Sequence, residues 1–143
     1  MHRLTKKFRF ETAHRLGKGY NGKCANIHGH SWNGEITVDC ESLDGYGFGI
    51  DFGELKKFTK AVEDKLDHGL ILHEGDSELA ELCVNSGWKI VTLPDNPTCE
   101  VLAAWIFDTA LEYFSLLPVT VYRVTIEETC TSRCEYYGKT KER

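Results

Sequence analysis

From His28 to Cys40 the chain alternates: His28, His30, Trp32, Ile36, Val38 and Cys40 share one side of an extended segment, and Ser31, Asn33, Glu35, Thr37 and Asp39 share the other. Successive side chains of a strand point to opposite faces. This run therefore predicts a sheet strand that is buried on one side and wet on the other.

The same period of two runs from Lys7, where Phe8, Phe10, Thr12 and His14 alternate with Lys7, Arg9, Glu11 and Ala13 and predict an earlier strand. A loop with Gly17, Gly19, Asn21 and Gly22 joins the two. After a turn at Asp44-Gly45 and a short strand-like segment from Phe48 to Asp51, the period changes. Leu55, Phe58, Val62 and Leu66 have the spacing of an amphipathic helix, with Asp51 and Glu54 placed for a capping box. A second helix is predicted from about Cys99 to Leu116, opened by Pro97-Thr98 and carrying Leu102, Trp105, Ile106 and Tyr113 on one side. Trp88 to Leu93 reads as a strand between the helices and Val119 to about Glu128 as the last strand, before a polar, frayed tail from Gly138 to Arg143. This order suits an α+β fold, an antiparallel sheet with both long helices on one face.

The chain has 143 residues, 41% of them hydrophobic and 27% charged, enough for a single domain spanning residues 1–143 with its own core. Lys+Arg is 17 against Asp+Glu 22, a net charge of −5 without a basic cluster, which argues against a nucleic-acid partner. The longest unbroken apolar run, Val101 to Phe107, is far short of the ~20 residues of a membrane span. The start of the chain lacks the apolar stretch of a signal peptide, so no membrane partner and a cytoplasmic location are expected. Cys24, Cys40, Cys83, Cys99, Cys130 and Cys134 form no CxxC pair and read as reduced thiols.

Ligand chemistry concentrates in Cys24-Ala25-Asn26-Ile27-His28-Gly29-His30. His28 and His30 project from one strand face, and His14 becomes a third ligand if its strand pairs with theirs as a hairpin. Three neutral imidazoles would hold zinc with a fourth position open to water or substrate, as catalytic sites do. An unpartnered ring beside Trp32 and Ile36 would cost on the order of 1–3 kcal/mol, which ligation removes. The plain alternative is a half-buried histidine bonded to the backbone. Cys24 admits three roles: a fourth ligand, a thiolate that takes a proton from a bound substrate, or a bystander.

Asp67-His68 at the end of the first helix either orients an imidazole for proton transfer or places a favourable residue in the last helical turn. Glu128 shares the face of Val124 and Ile126 on strict alternation, so it is either solvated beyond the strand or aimed inward. An inward carboxylate suits a flat heterocycle with two adjacent N–H groups, such as the amino-amide edge of a pterin or guanine. Gly45-x-Gly47-x-Gly49 has the wrong spacing for a dinucleotide fingerprint.

Phe10-Glu11-Thr12-Ala13-His14-Arg15-Leu16, Cys24 to His30, Gly47-Phe48-Gly49-Ile50-Asp51-Phe52, Leu66-Asp67-His68, Pro97-Thr98-Cys99-Glu100 and Glu128-Thr129 follow one another in an order that resembles the 6-pyruvoyltetrahydropterin synthase family. Within it the chain is most similar to the bacterial 6-carboxytetrahydropterin synthases of the queuosine (7-deazaguanine) pathway. The resemblance implies a T-fold (tunnelling fold), a four-stranded antiparallel sheet bearing two helices. It implies a trimer-based homo-oligomer, typically a hexamer, with active sites at subunit interfaces. It further implies Zn2+ on His14, His28 and His30, Cys24 as general base, Asp67 and His68 as its relay partners, and Glu128 as pterin anchor. Thr98 and Thr129 would contact substrate beside it.

The implied lyase reaction converts 7,8-dihydroneopterin triphosphate to 6-carboxy-5,6,7,8-tetrahydropterin, acetaldehyde and triphosphate. The alternative within the family eliminates triphosphate without cleaving the side chain and gives 6-pyruvoyltetrahydropterin. The three-residue gap between Cys24 and His28 resembles the first branch. The alternative of a different class is a non-catalytic binding module with a structural Cys-His₃ zinc site. Gly69-Leu70-Ile71-Leu72-His73 departs from the family by a residue and by its terminal histidine. Lys6, Arg15 and Arg133 are candidates for triphosphate contacts.

Overall fold

The computed structural model describes residues 1–17 and 19–139. In chain order it forms β1 (His2–His14), a single 3-10 turn (Lys23–Ala25), β2 (His28–Cys40), α1 (Phe52–Leu66), β3 (Gly69–His73), α2 (Ser77–Asn85), β4 (Ile90–Leu93), α3 (Cys99–Tyr113), β5 (Thr120–Thr129) and β6 (Ser132–Tyr136). The strands make one six-stranded sheet in the order β4-β3-β1-β2-β5-β6.

β1 and β2 form the antiparallel hairpin that their alternation predicts, with Phe10 opposite Trp32, Thr12 opposite His30 and His14 opposite His28. This register keeps both apolar sets in phase, so Phe8, Phe10, Trp32, Ile36 and Val38 are buried together. Gly34 lies opposite Phe8, where a Cβ would come within 2.3 Å of the phenyl ring. Only a residue without a side chain lets the ring lie across the partner strand. Leu55, Phe58, Val62 and Leu66 of α1 and Leu102, Ala103, Ile106, Phe107 and Ala110 of α3 join these strand residues in one core. Each fully buried Leu or Phe contributes about 1.5–3 kcal/mol. The opposite sheet face is polar and laced with ion pairs, among them Arg3 with Asp39 at 2.7 Å and Arg123 with Glu135 at 3.3 Å.

Six strands and three helices replace the expected four and two, and the sheet is mixed rather than antiparallel. Most of the difference lies between residues 69 and 93. β3 runs parallel to β1, and β4 runs parallel to β3 after the α2 crossover. The strand read from Trp88 to Leu93 is found as β4 at Ile90–Leu93, whereas periodicity misses β3, which has only 5 residues, and α2, whose buried residue is Cys83. β6 is a polar edge strand whose Ser132 and Arg133 are exposed, so it carries no apolar alternation either.

The segment from Phe48 to Asp51 is not a strand. The Asp44 carboxylate accepts the Tyr46 and Phe48 amides at 2.8 and 2.9 Å and folds the chain into a turn. The capping box is half formed: Asp51 accepts from Gly53 N–H at 2.7 Å, whereas Glu54 pairs with Lys57. α3 stops at Tyr113, short of Leu116, where Phe114 turns into the core. The expected frayed tail beyond residue 139 lies outside the described residues. Among those described, no helix is long and apolar enough to cross a membrane.

Strict alternation fails twice in β5. Thr37 pairs with Arg123 but Val38 with Val121, which leaves Tyr122 as an extra residue, and both Val121 and Val124 enter the core. Glu127 pairs with Arg133 but Thr129 with Ser132, which leaves Glu128 as the extra residue of a second bulge. Bulges re-aim side chains at the ends of sheets.

Candidate active site

His14 closes β1 and His28 opens β2 directly opposite it, with His30 two residues further on. Cross-strand pairing and a period of two thus set three rings on one face. Their ligand atoms all lie within 4.8 Å of one another. Trp32 packs edge-on against His14 and His30, with ring centroids 5.0 and 5.3 Å away, and its Nε1 donates to the Thr12 carbonyl at 3.1 Å.

His14 Nδ1 donates to the Pro97 carbonyl and His28 Nδ1 to the Asn26 carbonyl, both at 2.7 Å. A carbonyl only accepts, so each Nδ1 carries the proton and each Nε2 of the neutral rings presents a lone pair. These two Nε2 atoms face one another at 3.1 Å, an arrangement that a cation between them makes favourable. Among the described residues His30 Nε2 is buried without a hydrogen-bond partner. Burial holds His14 below the ordinary imidazole range, which favours the neutral ligating form. Three neutral nitrogens oriented by backbone carbonyls and packing fit a divalent metal ion such as zinc.

Glu128, the bulge residue, brings Oε1 to 3.4 Å from His14 Nε2 and 3.7 Å from His30 Nε2. Of the two sequence alternatives, the carboxylate takes the inward one. Cys24 is half-buried in the 3-10 turn, and its carbonyl accepts from Leu16 N–H at 2.8 Å, which ties the glycine-rich loop back to the end of β1. Among the described residues the close group of ligand atoms consists of the three histidines, and the Cys24 thiol is not part of it.

Asp67 caps α1, and His68 follows in the left-handed region at φ 55°, beyond the last helical turn expected for it. The β1 backbone fixes both residues: Glu11 N–H donates to Asp67 Oδ1 and His68 N–H donates to the Glu11 carbonyl, each at 2.7 Å. Asp67 Oδ2 accepts from His68 Nδ1 at 2.7 Å, and His68 Nε2 has no partner among the described residues. The Glu11 amide, followed by His68, holds the Asp67 carboxyl below its ordinary range. His68 and His30 line the same cavity of about 330 Å³, together with Glu11, Ser31 and Gly69.

Thr98 is the N-cap of α3 and accepts from Val101 N–H at 3.3 Å, while Thr129 is exposed at the end of β5. Arg15 is paired with Asp76 at 2.8 Å and Arg133 with Glu135 at 3.2 Å. His73 accepts from Gly75 N–H at 2.9 Å and shapes a turn. Sequence reasoning missed the carbonyls of Asn26 and Pro97 and the backbone of Glu11, since backbone groups have no residue signature. Their one trace is the position of Pro97 in the Pro97-Thr98 motif.

Residues 3–139 match the family model described as 6-pyruvoyl tetrahydropterin synthase. The chain belongs to this family of enzymes. The 6-carboxy-5,6,7,8-tetrahydropterin synthase of Rickettsia bellii is 37% identical over 72% of this chain and 75% of that protein. The protein of the same name from Aquifex aeolicus is 34% identical over 93% of this chain and 96% of its own length. The solved structure of the Caenorhabditis elegans 6-pyruvoyl tetrahydropterin synthase superposes with a TM-score of 0.72 at 26% identity, covering 96% of each chain. The span of the family match takes in the histidine triad, the Asp67-His68 pair and Glu128 alike.

Proposed function

We propose that the chain is a zinc-dependent 6-carboxy-5,6,7,8-tetrahydropterin synthase of queuosine/7-deazaguanine biosynthesis, converting 7,8-dihydroneopterin triphosphate to 6-carboxy-5,6,7,8-tetrahydropterin, acetaldehyde and triphosphate. One observation carries this reading: His14, His28 and His30 bring their ligand atoms within 4.8 Å of one another beside the inward carboxylate of Glu128. The names of the relatives from R. bellii and A. aeolicus, and the short gap between Cys24 and His28, favour the carboxy product over the pyruvoyl one.

His14, His28 and His30 would hold the zinc. Bound there, it supplies Lewis acidity toward the oxygens of the substrate's side chain and makes the adjacent C–H more acidic. Cys24 takes the side-chain proton as general base, and His68 exchanges protons through Nε2. Asp67 holds the His68 ring by its Nδ1–H at 2.7 Å, so the free nitrogen faces the substrate in one tautomer. Glu128 accepts two N–H groups from the amino-amide edge of the pterin, with Thr98 and Thr129 as neighbours. Trp32 and the core behind it keep water from the inner side of the triad.

A cytoplasmic, trimer-based homo-oligomer with interfacial sites belongs to the same proposal. The free cysteines agree with a reducing compartment, and edge strands β4 and β6 offer unpaired backbone to a neighbouring copy. The deciding experiment is incubation of the zinc-loaded protein with 7,8-dihydroneopterin triphosphate and identification of products by mass. Acetaldehyde with a carboxypterin is expected. An intact pyruvoyl side chain would assign the sister reaction, and no turnover at all would overturn the reading.

A further inference from the structure

The peptide group between Asp67 and His68 is held from both ends. Its N–H donates to the Glu11 carbonyl at 2.7 Å, and its C=O accepts from Lys89 Nζ at 2.7 Å. Lys89 stands one residue before β4, and its own carbonyl accepts from Leu70 N–H at 3.0 Å. The same ammonium donates to the Asp64 carbonyl at 2.5 Å. Its stem covers Gly69, where an added Cβ would stand 3.4 Å from Lys89 Cγ and Cδ and 3.1 Å from the Leu66 carbonyl.

We propose that Lys89 is a positioning residue for the Asp67–His68 pair, an assignment that rests on the acid–base role given to that pair above. Helix C-termini leave their last carbonyls without intrahelical partners and carry partial negative charge, so a lysine there is favourable in itself. Here one of those carbonyls belongs to the peptide that fixes the direction of the His68 side chain. His68 is the one non-glycine residue with positive φ among those described, a conformation that crowds the Cβ of an L-residue against its own backbone. Rotation of this peptide would relieve that crowding and break the backbone bonds that hold Asp67 and His68 in register with β1. Glu11 resists the rotation from the amide side and Lys89 from the carbonyl side.

Three variants test the assignment. Lys89→Met is expected to retain zinc and to keep KM within about twofold while kcat falls about 10- to 100-fold, as for a misplaced proton-transfer group. Lys89→Arg, which can still donate to both carbonyls, is expected to restore most of the kcat. Asp51→Ala removes the cap from the opposite end of the same helix, so it should lower thermal stability and leave kcat unchanged. A readout without substrate accompanies these. Amide hydrogen exchange at His68 and Glu11 should accelerate about 10-fold or more in Lys89→Met and stay at the wild-type rate in Asp51→Ala. Wild-type exchange at both amides in Lys89→Met would overturn the clamp. So would equal losses of kcat in Lys89→Met and Asp51→Ala. Because exchange needs no turnover, it decides the role of Lys89 even where the proposed reaction fails.

Discussion

His14 and His28 are direct cross-strand partners whose Nε2 atoms stand 3.1 Å apart, while the Nδ1 of each is already bonded to a carbonyl. The hairpin register therefore does more than bring two ligands close. It sets two lone pairs against each other at the rim of the core, and a cation relieves the repulsion. A metal held by this pair would couple its binding to folding of the hairpin end.

Zinc should consequently raise the thermal midpoint of the wild type and fail to raise that of His28→Ala. At a free metal concentration 100 times Kd the stabilisation is about 2.7 kcal/mol. His14→Ala should lose the same effect and also weaken the metal-free protein by about 1–3 kcal/mol, because it strips a donor from the Pro97 carbonyl at a buried position. Denaturant melts with zinc and with a chelator check both expectations. Undiminished zinc stabilisation of His28→Ala would remove that ring from the site.

The Asp67–His68 pair makes a pH-dependent contribution of definite sign. The folded carboxyl lies below its ordinary value of 3.8, chiefly through the Glu11 amide and then through His68. A carboxyl depressed by folding adds stability above its unfolded value, and that stability is lost as pH falls through the folded one. Asp67→Asn should thus be less stable than the wild type by a constant margin above about pH 5, and the margin should shrink in acid. Urea midpoints across this range test the sign, and a margin that grows on acidification would contradict it.

The hairpin was legible because period two is a direct consequence of strand geometry, and it carried His14, His28 and His30 with it. The position of Glu128 was not, since alternation alone allows both an inward and a solvated carboxylate, and a bulge leaves no mark in the apolar pattern. β3 and α2 escape for a related reason, since the strand has only 5 residues and the buried residue of the helix is Cys83, whereas β4 is legible as the end of the segment from Trp88 to Leu93. The role of Lys89 in that segment runs through hydrogen bonds to backbone carbonyls, which have no residue signature. His68 was assigned to a helical turn because the sequence does not announce that a histidine, rather than the glycine after it, takes the left-handed position.

Glu128→Gln separates anchoring from metal holding. A charged hydrogen-bonding group contributes about 1.5–3 kcal/mol, so the loss should lower kcat/KM by roughly 10- to 100-fold. Zinc affinity should fall far less than in His28→Ala, because the three close ligand atoms are those of the histidines. Metal titration and steady-state kinetics on the same preparation give both numbers. Loss of zinc equal to that of His28→Ala would make Glu128 a ligand instead.

The thiols should differ in reactivity. Burial, followed by Glu100, pushes Cys99 up to about 12, and burial also raises Cys134, so both remain protonated at neutral pH. Brief alkylation with iodoacetamide at pH 8 should modify exposed Cys130 and spare Cys99 in the folded protein. Peptide mapping by mass spectrometry reads the outcome directly, and rapid labelling of Cys99 would show that α3 opens at its first turn.

Cys24→Ala is the sharpest test of the proposed chemistry. The thiol lies outside the close group of ligand atoms, in a turn anchored by its own backbone carbonyl rather than by its side chain. Removing the sulfur should leave both the metal and the fold in place. Activity should drop about 10²-fold or more, the usual consequence of losing a general base. Zinc content by elemental analysis, the thermal midpoint and the turnover rate are needed together. Should zinc and stability disappear along with activity, Cys24 would be a structural ligand, the fourth position would be closed to substrate, and the centre would be a staple for the β1–β2 hairpin rather than a place where bonds are broken.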